Sequence, residues 1–108
     1  MESVVVRVSI GHFDSSSAEP VRESLMATHE ELEPGINAMQ GNLSFPAGID
    51  MEHNAMINMS FWDSLDSAKQ MDSFKPMLDL AKEFLQLGVH FDRPILNFIT
   101  LYRIEKNS

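Results

Sequence analysis

Over Val4 to Ile10 the side chains fall into two unlike rows. Val4, Val6, Val8 and Ile10 form a wholly apolar row, whereas Val5, Arg7 and Ser9 form a mixed one, since successive residues of a strand point to opposite faces. β-branched residues dominate, and Gly11 with the serines 15–17 bounds the run, so the pattern predicts a strand. The same double pattern returns from Ala55 to Trp62: Ala55, Ile57, Met59 and Phe61 alternate with Met56, Asn58, Ser60 and Trp62.

Between these strands Val21, Leu25, His29 and Leu32 recur at helical spacing, with Pro20 in the first turn behind serines able to cap it. Pro34-Gly35 predicts the end of that helix. Ile36 to Phe45 reads as extended, with Gly41 as a bulge and Pro46 on an edge, and 48–54 reads as a turn. After the second strand, Asp63 is a candidate cap for a helix carrying Leu65, Ala68 and Met71. Pro76 predicts a break near Phe74, and Met77, Leu80, Ala81, Phe84 and Leu87 continue helically up to Gly88. Ile95 to Ile104 reads as a last strand.

The resulting order is β-α-β-β-α-β. It predicts an α+β, ferredoxin-like architecture in a single domain over 1–108, with two helices on one face of an antiparallel sheet. We assign the dry rows to the side beneath the helices, because that side is buried within one chain. The mixed rows then face outward, too apolar in Val5, Met56 and Trp62 for easy solvation and too polar in Arg7, Ser9, Asn58 and Ser60 for a dry core. A homodimer joined through its sheet faces, or a partly wet cavity, suits such a surface. A solvated face is the alternative.

Charge narrows the partners. Eight basic against sixteen acidic residues give a net charge of −8, and the basic residues are scattered, so nucleic acid and anionic membrane surfaces would be repelled. No apolar run approaches the roughly 18 residues that span a bilayer. The first residues enter a strand directly and no cysteine is present, which together predict a cytoplasmic protein. The five glycines are isolated, so no phosphate loop is expected, and no Ser-His-Asp constellation can be drawn. Asp50, Glu52 and His53 crowd one turn, His29 and Glu33 are one helical turn apart, and His12 with Asp14 and His90 with Asp92 are loop pairs. A surface turn and an exposed helix pair explain the first two groups, since a third converging ligand cannot be named, and no metal is expected.

Two residues are candidates for catalysis: His29, whose imidazole can act as a base near neutral pH, and Arg7, which can stabilise an anion. Ser9, Asn58, Ser60 and Trp62 share the mixed rows with Arg7 and line either a polar cavity or an interface network. Eight methionines are many for this length. Met71 and Met77, with Phe74 and Phe84, place an apolar ligand in the cleft between the second helix and the sheet, or else simply fill the core.

The strand ending Phe61-Trp62-Asp63-Ser64 and running into the helix 65–71, together with Leu32-Glu33-Pro34-Gly35, resembles the antibiotic biosynthesis monooxygenase-like group of dimeric α/β barrels. The resemblance covers nearly the whole chain. It implies a homodimer with facing sheets and a cofactor-independent monooxygenase, or a related enzyme, acting on a small apolar or aromatic metabolite. It does not extend to haem degradation: the polar or aromatic helix residue of relatives that act on aromatic polyketides or haem falls at Met71, the axial His of haem-degrading relatives at Ala81, and their first-strand Asn at or beside Val6. A non-catalytic dimeric protein that binds a small molecule on the same fold is the other reading.

Overall fold

The computed structural model describes residues 3–106. Strand β1 (Val5–His12) leads through a 3₁₀ turn at Ser15–Ser17 into helix α1 (Ala18–Ala38). Strands β2 (Asn42–Ser44), β3 (Ala47–Asp50) and β4 (Ala55–Trp62) follow, then helix α2 (Leu65–Ala68), a 3₁₀ segment (Lys69–Ser73), helix α3 (Lys75–Gln86), and strands β5 (His90–Phe91) and β6 (Leu96–Ile99). All pairings are antiparallel, with β1 and β4 side by side at the centre. One edge is β2 and β3, both on β4, and the other is β5 and β6, both on β1. Each edge is thus one interrupted strand, and the whole is the ferredoxin-like α+β arrangement.

Register fixes which residues share a face. Val5 lies opposite Trp62, Arg7 opposite Ser60, Ser9 opposite Asn58 and Gly11 opposite Met56. Val5, Met56 and Trp62 belong to the same buried cluster as Val21, Leu25, Leu32, Leu80 and Phe84 of the helices. The mixed rows therefore lie beneath the helices and the dry rows face away, the reverse of the expected assignment. The expectation took the drier row to be the one buried within a chain. Here the polar members of the mixed row are satisfied locally or border a void, and the dry row is the bare side of the sheet. Val6 is buried there because Phe61 and Phe98 flank it on the neighbouring strands, but Leu96 and Phe98 remain 60% and 49% exposed.

Several boundaries also differ. Helix α1 runs through Pro34 and Gly35 to Ala38, since burial of Ile36 anchors one further turn. Gly35 is a seat rather than a stop: a Cβ there would meet the Phe74 ring at 2.6 Å. The turn comes at Gly41, where φ is +81° and a side chain would collide with Asp63 and Ser67. The cap of α2 is Ser64, not Asp63, its hydroxyl accepting from the Ser67 amide at 3.1 Å. The 48–54 turn is shorter than expected, because Ala47–Asp50 pairs with β4. The last strand stops at Ile99. The Thr100 amide donates to the Val4 carbonyl at 2.8 Å, and Leu101, Tyr102 and Ile104 stand exposed. No helix among the described residues is long and apolar enough to cross a membrane.

Candidate functional site

Between the sheet and the α2–α3 layer lies a cavity of about 220 Å³. Its floor is the polar part of the central strands: Arg7 and Ser9 from β1, Asn58 and Ser60 from β4. Met71, Met77, Ala81 and Phe84 form the roof, and Phe45 closes one side where Phe45-Pro46 interrupts the β2–β3 edge. Phe91, Arg93 and Ile95 border the other side, at the interruption between β5 and β6. The void exists because both edges break at the same level of the sheet, and because the floor residues are shorter or more polar than the Val5 and Trp62 pair that packs solidly beside them.

Arg7 is the electrostatic centre of the floor. Its Nη2 donates to Asp72 Oδ1 at 2.8 Å, across 65 residues of sequence. The Arg7 side chain is only 9% exposed and Asp72 is 65% exposed, so the pair joins a buried cation to a carboxylate at the rim. Such a position keeps the guanidinium from being buried without a counter-charge, and its net contribution is modest, about 1 kcal/mol. Asp72 reaches this place because the tight 3₁₀ segment turns Met71 into the core and the next side chain toward the mouth.

Trp62 does not touch the cavity. It is fully buried, and its Nε1 donates to Ser60 Oγ at 2.7 Å, which fixes that hydroxyl in the floor. Phe74 packs its ring against Gly35 instead of lining the void. The side chains of Ser9 and Asn58 border it as well.

His29 is elsewhere. The buried stripe of α1 runs Val21, Leu25, Thr28, Leu32, Ile36, and Thr28 takes the inward position with its hydroxyl bonded to the Leu25 carbonyl at 2.6 Å. His29, one residue on, is 75% exposed and paired with Glu33 at 2.9 Å. It borders a separate groove between α1 and the β2–β3 edge, and cannot act as a base on a ligand above Arg7. Asp72, Phe91 and Arg93 were missed by sequence reasoning. The available signal for Asp72 was a lone arginine in an otherwise neutral strand, which needs a carboxylate from somewhere.

The acidic turn at 50–53 is self-contained. Asp50 accepts from the His53 ring at 2.8 Å and from the backbone amides of Glu52 and His53, and these bonds hold its carboxyl below the ordinary value. Asp79 is likewise lowered by its bond from Lys75 on the outer side of α3. Among the described residues no group of three His, Asp or Glu side chains is placed to hold a metal.

No family model matches the sequence, and no curated protein sequence matches it either. Solved structures do match. A Deinococcus radiodurans protein provisionally described as an antibiotic biosynthesis monooxygenase superposes with a TM-score of 0.72 at 14% identity, over 96% of this chain and 99% of its own. A dimeric ferredoxin-like protein from an uncultured marine organism gives 0.72 at 13% identity, over 95% and 100%. The monooxygenase from the gene ActVA-Orf6 of Streptomyces coelicolor, in complex with the ligand Nanaomycin D, gives 0.69 at 12% identity, over 98% and 94%. What these proteins share with this chain is the ferredoxin-like α+β fold. At these identities it is the fold that is shared, and the site has to be read from this chain's own residues.

Proposed function

We propose that two copies pair through the bare faces of their sheets, and that each copy's cavity binds a small aromatic metabolite with an acidic hydroxyl and oxygenates it without a cofactor. The observation that carries this reading is the cavity itself: methionine and phenylalanine walls over a floor of Arg7, Ser9, Asn58 and Ser60. Soft apolar walls accept a flat ring, and the few polar groups orient its oxygen. A void of about 220 Å³ is smaller than those that hold drug-sized ligands, which points to one or two rings.

The neighbours support the rest: one is named as dimeric, and another is a monooxygenase in complex with a small molecule. Asp72 is the only carboxylate on the cavity wall among the described residues, so it takes the hydroxyl proton and Arg7 balances the phenolate that remains. A carboxylate is a weak base, which is why the hydroxyl has to be an acidic one. The electron-rich ring carbon then attacks dioxygen, and the peroxide loses water to leave a carbonyl. The balance is phenol plus O₂ to quinone plus H₂O.

A non-catalytic binding protein is the second reading, and the position of His29 outside the cavity favours it. Trp62, the sole tryptophan, contacts the floor through Ser60 and so reports on occupancy. Hydroxynaphthalenes should quench its fluorescence saturably and be consumed with one O₂ per product, and Asp72→Asn and Arg7→Lys should abolish the uptake. Quenching without oxygen uptake selects the binding protein. Absence of saturable quenching rejects both readings.

A further inference from the structure

The ionic groups on the cavity wall do not cancel. Arg7 and Asp72 neutralise one another at 2.8 Å, which leaves Arg93 as a third, unmatched charge at the rim. The adjacent acid in sequence is spoken for: the Asp92 carboxylate is bound to His12 Nε2 at 3.0 Å, and Arg93 Nη1 donates only to the Asp92 carbonyl, at 3.0 Å. Among the described residues Arg93 has no carboxylate partner, although the chain as a whole carries a net charge of −8. Its guanidinium lies over the Phe91 ring, 5.4 Å from the centroid, and Phe91 is itself a wall of the cavity. That ring restrains the guanidinium at the mouth, while most of its five donors stay uncommitted.

We infer that Arg93 sets the specificity of this cavity, selecting aromatic ligands that carry a carboxylate, with the ring among Met77 and Phe84 and the anion at the mouth. This rests on the proposed binding of an aromatic compound in the same cavity. The single surplus positive charge matches a monoanion. A phosphate dianion would leave one negative charge uncompensated beside Asp72.

Two isosteric probes, 2-naphthoate and its neutral amide 2-naphthamide, are titrated against Trp62 fluorescence in the wild type, Arg93→Gln and Arg93→Lys. Arg93 is exposed, so its substitution leaves folding intact. Wild type should bind the carboxylate about five- to tenfold more tightly than the amide. Arg93→Gln should bring the two to near parity. Arg93→Lys should keep part of the preference, having the charge without the planar fork. Raising the salt concentration should shrink the wild-type preference. Equal binding of both probes by the wild type, or an undiminished preference in Arg93→Gln, overturns the role of Arg93 and leaves the cavity reading standing. Binding of neither probe removes the cavity reading, and this inference with it.

Discussion

The two faces of the sheet invert the usual relation between composition and burial. Beneath the helices lie Arg7, Ser9, Asn58 and Ser60, four polar residues in the middle of the molecule. On the side with no cover of its own lie Val8, Ile10, Ile57, Met59 and Phe61, joined by Leu96 and Phe98 of the edge. Arg7 is answered inside by Asp72 and Ser60 by Trp62, while Ser9 and Asn58 border the cavity. The apolar row outside is the kind of patch that marks an interaction surface, and the proposed dimer covers it. The inner face therefore carries the proposed site, and the outer face the proposed dimer.

If that division is right, substitutions on the two faces fail differently. Trp62→Ala, on the inner face, should cost about 3–5 kcal/mol in urea denaturation, because it removes the largest of the fully buried side chains and releases the Ser60 hydroxyl. Val8→Asp, on the outer face, should weaken self-association at least about 100-fold, or roughly 2.7 kcal/mol, in sedimentation equilibrium. An unchanged sedimentation profile for Val8→Asp would mean that the outer face is merely solvated, and the comparison would collapse.

Asp72→Ala should cost about 1 kcal/mol of stability, small because the carboxylate is largely exposed, yet should lower ligand affinity by more than its effect on melting implies. The smallest effect belongs to neither face. Asp50 has its carboxyl held below the ordinary 3.8, so its contribution is present above that value and is lost as pH falls through the lowered folded-state value. Acid titration followed by circular dichroism should show a slightly flatter acid limb in Asp50→Asn than in the wild type.

Particular residues show how far reading the chain reached. Alternation in 4–10 and 55–62 located the two central strands, and the resemblance around Phe61-Trp62-Asp63-Ser64 led to the fold that the solved structures share. Of the residues singled out for a site, the structure gathers Arg7, Ser9, Asn58, Ser60, Met71, Met77 and Phe84 around one void, and sets His29, Trp62 and Phe74 apart from it. His29 was misplaced because a residue one step from the buried stripe of a helix has nearly the same spacing as one on it. Only packing chose Thr28 for the inside. Pro34-Gly35 is an ordinary stop signal, overridden here by burial of Ile36 and by the seating of Phe74 on Gly35.

By itself the sequence determined the strand periodicity, the helical stretches, the acidity of the chain and the existence of two unlike sheet faces, because each depends on residues close together along the backbone. Which face the helices would cover was decided only in three dimensions, since both rows can be buried and the choice turns on whether polar groups find partners. Asp72 lies 65 residues from Arg7 in sequence, and Arg93 lies beyond all three helices. No local pattern brings those charges to one cavity, and folding of the whole sheet does.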